Sequence, residues 1–301
     1  MAFDAVETPF GSRERMLGGS AVHFSLAASF FCDVNLVGVV GEDFGSAEVA
    51  VLERRGVNVD DLERVPGGKT FYWRGRYDYD LNTAHTLETQ LNVFAAFEPK
   101  LSEASRQAET LFLANIQPDL QRGVREQCTG ARFVALDSMN LWIETARDSL
   151  VETIELVDAV LINDAELREL TREPNLARAA RTLRSWGPRI VVAKQGEYGA
   201  ALFAGDSFFA LPAFPLEQVL DPTGAGDSFA GGFVGFLASQ GETELTEEVV
   251  RSAMAYGSAL ASFNVEEFGA ERVQRLTREE IEERVAAFHR ITQFSPLPVR
   301  A

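Results

Sequence analysis

Cysteine is nearly absent: Cys32 and Cys128 are the only two in 301 residues. They lie far apart, with no His or Cys neighbour at metal-ligand spacing, which argues against a disulfide framework or a zinc site and predicts two reduced, mostly buried thiols. Long apolar runs are missing too. No stretch approaches the roughly 18 uninterrupted apolar residues of a membrane span, and the opening MAFDAVETPFG has neither a basic n-region nor an apolar h-region. A soluble, unexported, cytoplasmic protein is expected. Positive charge is scarce, with 28 Lys and Arg against 45 Asp and Glu and a net charge of −17, and only Lys69, Lys100 and Lys194 are lysines. Nucleic acid and anionic membranes are held mainly by neutralising phosphates, so neither is an expected partner. The same field repels a nucleotide. Any nucleotide site must therefore rely on local donors and on a divalent metal carried in with the phosphates.

What is present is a chain that is 46% hydrophobic and long enough to bury a large core as one α/β domain, residues 1–301, with a modest insertion. From about residue 20 helix-like and short strand-like segments alternate, the pattern of a mostly parallel sheet flanked by helices. The strand candidates are Val34 to Val40, Thr110 to Ala114, Arg132 to Asp137, Asp158 to Asn163 and Arg189 to Lys194. Each supplies a carboxyl end where a ligand can sit. Lys69 to Phe97 breaks this rhythm with TFYWRGRYDYDL and QLNVFAAF, where aromatic and polar residues alternate as in strands with one wet face. It is predicted to be a β lid over residues 69–98, completed by part of 1–16. Its aromatics Phe71, Tyr72, Trp73, Tyr77 and Tyr79 suit a ligand cover or a homodimer contact better than bare exposure. Leu245 to Asn264 and Thr277 to Thr292 read as helices.

The strongest chemical signal is the run from Asp221 to Phe233, DPTGAGDSFAGGF, a glycine-rich turn feeding directly into a helix. Glycines let a backbone approach a phosphate closely, and the first unpaired N–H groups of a helix point at the anion with the macrodipole behind them. Asp227 at the helix start is placed to take a proton from an attacking hydroxyl. Asp is also a favoured N-cap. Four glycines around one Asp and one Thr exceed what a cap requires, since each inside a helix costs about 1 kcal/mol against Ala.

This string resembles the C-terminal signature of the ribokinase-like (PfkB) sugar and nucleoside kinases. The resemblance implies a ribokinase-like three-layer sandwich with a small β-sheet lid. It makes Asp227 the catalytic base and the backbone of Gly224, Ala225 and Gly226 the anion hole for phosphoryl transfer from ATP to a sugar-like hydroxyl. Asp221 and Thr223 fall near the family's nucleotide and monovalent-cation loop, which implies potassium beside magnesium. Leu17-Gly18-Gly19-Ser20 resembles the N-terminal signature. There Gly18 and Gly19 admit substrate hydroxyls to the backbone and Asp4 matches the residue that holds two of them. His23 stands where many members place Asn, altering one substrate contact. The family's pattern also puts a core strand ahead of the Asp4 segment; with Met1 where it is, either the start lies elsewhere or the sheet lacks a strand.

Asn163 and Glu166 match the family's N-x-x-E element, whose Glu organises magnesium and its water, and equally form a capping box. Lys194 and Gly196 resemble a K-x-G-x-x-G turn near the nucleotide, a pattern that a strand-to-strand turn shares. Asn264 and Gly269 fall where the adenine pocket closes. A nucleoside kinase and a non-catalytic ligand-binding protein on the same scaffold are the alternatives, whereas a dehydrogenase is disfavoured because no G-x-G-x-x-G follows an early strand.

Overall fold

The computed structural model describes residues 1–241 and 245–295; the ends of the expected 1–301 domain beyond 295 lie outside the described residues. Twelve strands are found among them, β1 (Ala2–Thr8), β2 (Gly11–Gly18), β3 (Asn35–Gly41), β4 (Asn58–Val65), β5 (Tyr72–Tyr77), β6 (Ala84–Gln90), β7 (Thr110–Leu113), β8 (Phe133–Leu136), β9 (Ala159–Asn163), β10 (Ile190–Lys194), β11 (Ala200–Ala204) and β12 (Ser207–Leu211). They form a six-stranded sheet in the order β12-β11-β10-β9-β8-β7, a pair β3-β4 and a four-stranded sheet β2-β1-β5-β6.

In the six-stranded sheet β7 to β10 are parallel, and β11 and β12 continue antiparallel. The parallel strands are apolar on both faces because both are covered. Along β9, Val160 and Ile162 join one core cluster with Leu150, Leu167 and Leu183, while Ala159 and Leu161 join another with Phe233 and Met254. That alternation is the period-2 pleat with a helical layer on each side, which gives the sandwich its three layers. On the second side helix Ala225–Ser239 lies against helices Ser20–Ala28 and Glu247–Asn264. Gly231 and Gly232 permit that closeness: a Cβ there would fall 2.4 Å from the Phe24 carbonyl oxygen and 2.8 Å from that of Tyr256.

The predicted core strands match β3 and β7 to β10 to within a residue or two. The β3 segment, however, pairs only with β4, a strand without an apolar run to announce it, and no strand joins this pair to β7 among the described residues. Strands β3 and β7 instead both line one cleft of about 1300 Å³ that also reaches Asp4 and Asp227. The β-rich lid is found as β5 and β6 joined to β1 and β2, its strand β1 buried and its edge strand β6 exposed at every residue.

Candidate active site

The turn before helix Ala225–Ser239 is built from behind. Asp221 is fully buried, and its carboxylate accepts the amides of Thr223 and Gly269, each at 2.9 Å. Asn264, also fully buried, donates through Nδ2 to the Thr223 carbonyl at 2.8 Å, so its Oδ1 accepts the Ser228 hydroxyl at 3.0 Å and Nδ1–H of His23 at 2.9 Å. The His23 ring fills the space beneath Gly224, whose φ of 77° and missing side chain are both required: a Cβ would lie 2.3 Å from His23 Nδ1. No side chain caps this helix, so its first amides are left facing outward for an anion. Asp227 sits in this first turn.

Gly18 and Gly19 wrap Asp4. The Asp4 carboxylate accepts the Gly19 amide at 3.2 Å, and a Cβ on Gly18 would meet Asp4 Oδ2 at 1.9 Å. Burial, partly offset by His23 and the Gly19 amide, pushes the Asp4 carboxyl up to about 6. Such a group is primed to accept hydrogen bonds from hydroxyls, because a partner would replace the water it has lost. Asp4, Gly19, Phe71, Trp73 and Asp227 all line the same cleft.

A third group lies at the carboxyl edge of the sheet. Lys194 ends β10 opposite Asn163 of β9, and its ammonium bonds Asp137, just past β8, at 2.6 Å. Asn163 and Glu166 form the capping box: the Glu166 amide donates to Asn163 Oδ1 at 2.7 Å and the Asn163 amide to Glu166 Oε2 at 3.1 Å. Burial, reinforced by Asp137 and opposed by Lys194 and the Asn163 and Asn140 amides, raises Glu166 to about 7. Among the described residues no set of three His, Cys, Asp or Glu side chains converges as a metal cage. The donor set fits a metal that arrives on phosphates and is met by one or two carboxylates.

Comparison with known proteins adds the decisive observation. Residues 9–275 match the model of the pfkB family carbohydrate kinases. The chain belongs to the pfkB family. A cytidine kinase of Thermococcus kodakarensis is 31% identical over 257 residues, covering 83% of this chain and 90% of that protein. In fold the chain resembles the nucleoside kinase of Methanocaldococcus jannaschii, with a TM-score of 0.73 at 20% identity over 95% of each chain. It also resembles an Arabidopsis thaliana ribokinase complexed with ribose and ATP, with a TM-score of 0.74 at 21% identity over 94% of this chain and 96% of that one. As a pfkB kinase the protein is an ATP-dependent phosphotransferase acting on a sugar-like hydroxyl, and a non-catalytic scaffold is not favoured.

The pfkB assignment sorts the predicted residues. Thr223, Gly224, Ala225, Gly226 and Asp227 form the head of one helix with the Lys194 ammonium against Gly226, and Asp4 and Gly19 line the same cleft as Asp227, with Gly18 against the Asp4 carboxylate. Gly196, with φ 56°, lies in the loop after β10, where Asn82 of the lid packs on it and donates to Glu197 at 3.1 Å. Asn264 and Gly269 depart from expectation. Both brace the turn from inside: the fully buried Asn264 side chain accepts from His23 and Ser228 and donates to the Thr223 carbonyl, and the Gly269 amide donates to Asp221. His23, 1% exposed, likewise supports Gly224 from below. Two residues escaped the sequence reading. Asp137 showed only as a polar residue ending an apolar strand, and Tyr77 only as one lid aromatic among five. The Tyr77 hydroxyl lies 3.2 Å from Thr223 Oγ1, joining the lid to the glycine turn.

Proposed function

We propose that the acceptor is an uncharged sugar or sugar-like polyol, held between the lid, Asp4 and the Gly18-Gly19 turn with its reacting hydroxyl toward Asp227. The observation that carries this reading is a single cleft lined both by a hydroxyl-accepting carboxylate, Asp4, and by an uncapped helix N-terminus bearing Asp227. ATP with magnesium supplies the phosphoryl group, its charge met by the outward amides of Gly226 and Asp227. Asp227 accepts the hydroxyl proton as the oxygen attacks phosphorus. Glu166 and Asn163 stand near enough to Lys194 to act on the metal's water. Potassium at Asp221 forms no part of the proposal, because its buried carboxylate already holds two backbone amides.

A nucleoside is the second reading. It is supported by the aromatic wall of Phe71 and Trp73 and by the cytidine kinase among the relatives. A phosphorylated sugar fits less well. The arginines among the described residues lining the cleft, Arg132 and Arg189, precede β8 and β10 and so sit at the opposite strand ends from Asp227. A cytoplasmic location is part of this proposal; no described helix is long and apolar enough to cross a membrane. A homodimer through the lid is proposed from the exposed edge strand β6 and the exposed pair Phe10 and Tyr79.

The test is ATP consumption with magnesium over a panel of sugars, nucleosides and sugar phosphates, with Asp227→Asn in parallel. Turnover on a neutral member that falls about 10²- to 10⁴-fold in the variant is expected. A sugar phosphate as the best acceptor, or an Asp227→Asn enzyme as fast as the native one, refutes the reading.

A further inference from the structure

Strand β7 ends at Leu113, and the chain leaves it through Ala114 and Asn115 at the carboxyl edge of the sheet, the edge that also presents Asp137, Asn163 and Lys194. That exit is clamped. Gln121, 1% exposed, donates through Nε2 to the carbonyls of Ala114 at 2.8 Å and Asp137 at 3.0 Å, stapling the ends of β7 and β8 together. Asn115 thus stands on a fixed backbone, and it lines the same cleft as Asp4 and Asp227.

The amide of Asn115 is fixed as well. Trp142, in the short helix Asn140–Thr145 that follows β8, packs against the core cluster containing Leu113 and Leu136 and donates its indole N–H to Asn115 Oδ1 at 2.9 Å. An indole nitrogen can only donate, so a flipped amide would set donor against donor. Oδ1 is therefore held by Trp142, and the Nδ2 group with its two N–H bonds is turned away from it. Nδ2 has no hydrogen-bond partner among the described residues, and it is not one of the polar atoms sealed in the interior without one. It opens to the cleft as a preset donor.

The carboxylates that line this cleft, Asp4, Asp227 and Glu144, only accept hydrogen bonds when ionised. They read hydroxyl protons and are blind to an oxygen that carries none, such as a ring ether or a carbonyl. A fixed N–H donor supplies that missing half of the recognition. We propose that Asn115 is a specificity-determining residue whose Nδ2 donates to a proton-free oxygen of the phosphoryl acceptor, a ring ether or a carbonyl, and that Trp142 is the positioning residue that sets the amide. The proposal rests on the reading that places the acceptor between Asp4 and Asp227, and it adds to that reading a preference for a cyclic or carbonyl-bearing acceptor over an open-chain polyol.

Three probes separate the cases: ribose carries a ring oxygen, cytidine a ring oxygen and a base carbonyl, and ribitol hydroxyls alone. Binding of each probe, and of ADP with magnesium as the control for folding, is measured calorimetrically on the native enzyme, Asn115→Leu, Asn115→Asp, Trp142→Phe and the double variant of Asn115→Leu with Trp142→Phe; KM and kcat are added wherever ATP is consumed. The native enzyme is expected to prefer ribose or cytidine to ribitol by about tenfold. Asn115→Asp keeps the shape and the Trp142 contact yet presents only acceptors, so it loses about 100-fold on the preferred probe. Asn115→Leu loses about tenfold, chiefly in KM, and Trp142→Phe about threefold, with ADP affinity unchanged throughout. In the Asn115→Leu background Trp142→Phe adds no further loss, which a merely structural tryptophan would do. A loss on ribose and cytidine alike assigns the ring oxygen, and a loss on cytidine alone the carbonyl. A native enzyme that does not prefer ribose or cytidine to ribitol, an Asn115→Asp variant that binds as the native enzyme does, or equal losses on all three probes and ADP overturns the proposal. Should Asp227→Asn remain active, the base assignment fails while acceptor binding still decides the role of Asn115.

Discussion

The six-stranded sheet and the lid are both β-structure, yet they are held by different means. Strands β8, β9 and β10 are buried nearly throughout, between two apolar layers. In the lid only β1 is comparably buried, and β6 is exposed from Ala84 to Gln90. The sheet therefore presents Asp137, Asn163 and Lys194 from a close-packed frame, as a pre-organised electrostatic site requires. The lid strands β1, β2 and β5 share apolar clusters with Val40, Phe44, Leu220 and Phe268, and two polar contacts, Tyr77 to Thr223 and Asn82 to Glu197, tie its outer part to the loops around the site. Both contacts land on loops that the nucleotide reading assigns to the phosphates. An outer hairpin held by such contacts yields more readily than the buried strand β1 beneath it.

The contrast is tested most severely by matched truncations. Leu161→Ala, in the sheet and fully buried, is expected to cost about 2–5 kcal/mol in denaturant unfolding, while Leu87→Ala on β6 stays within about 0.5 kcal/mol. Comparable losses would mean that lid and sheet form one cooperative core. A smaller effect is expected from Tyr77→Phe, which deletes only the hydroxyl joining lid to turn: kcat/KM falls about tenfold, a hydrogen bond's worth of free energy, with the thermal midpoint unmoved. A shifted midpoint with unchanged kinetics would make Tyr77 a structural strut.

The last prediction concerns the pH dependence of the frame. Glu166 rises from an ordinary 4.5 to about 7, chiefly through burial. An acid whose native value lies above its unfolded one binds more protons when folded, so its ionisation weakens the fold as pH rises from about 4.5 to 7 and adds nothing further above that. Glu166→Gln lacks this dependence. The stability of the variant relative to the native protein should grow over that window, as read from unfolding midpoints at pH 5, 6, 7 and 8. A constant difference would show that Glu166 is solvated like an ordinary surface carboxylate.

Much of the frame was legible in the sequence because its signals are local. Apolar runs such as VLIN and IVVAK mark strands covered on both faces, and GAGD before a long apolar helix marks a glycine turn into a helix whichever side chains surround it. The exceptions share one cause. Strand β4, NVDDLERV, has no apolar run, because only its ladder to β3 makes it a strand. Asn264 seemed a ligand residue and proved a brace, since burial of its amide against His23, Ser228 and Thr223 depends on residues distant in the chain.

By itself the sequence determined the alternation of helices and strands and the glycine-rich turn with Asp227 at the start of a helix. These follow from backbone conformation and spacing within a few residues. Tertiary structure alone decided that Lys194 reaches across β9 to Asp137 and rests on Gly226, that His23 supports Gly224, and that Tyr77 closes on Thr223. Each of those contacts joins segments dozens to hundreds of residues apart, and their geometry is set by strand order and helix packing, which no local pattern encodes.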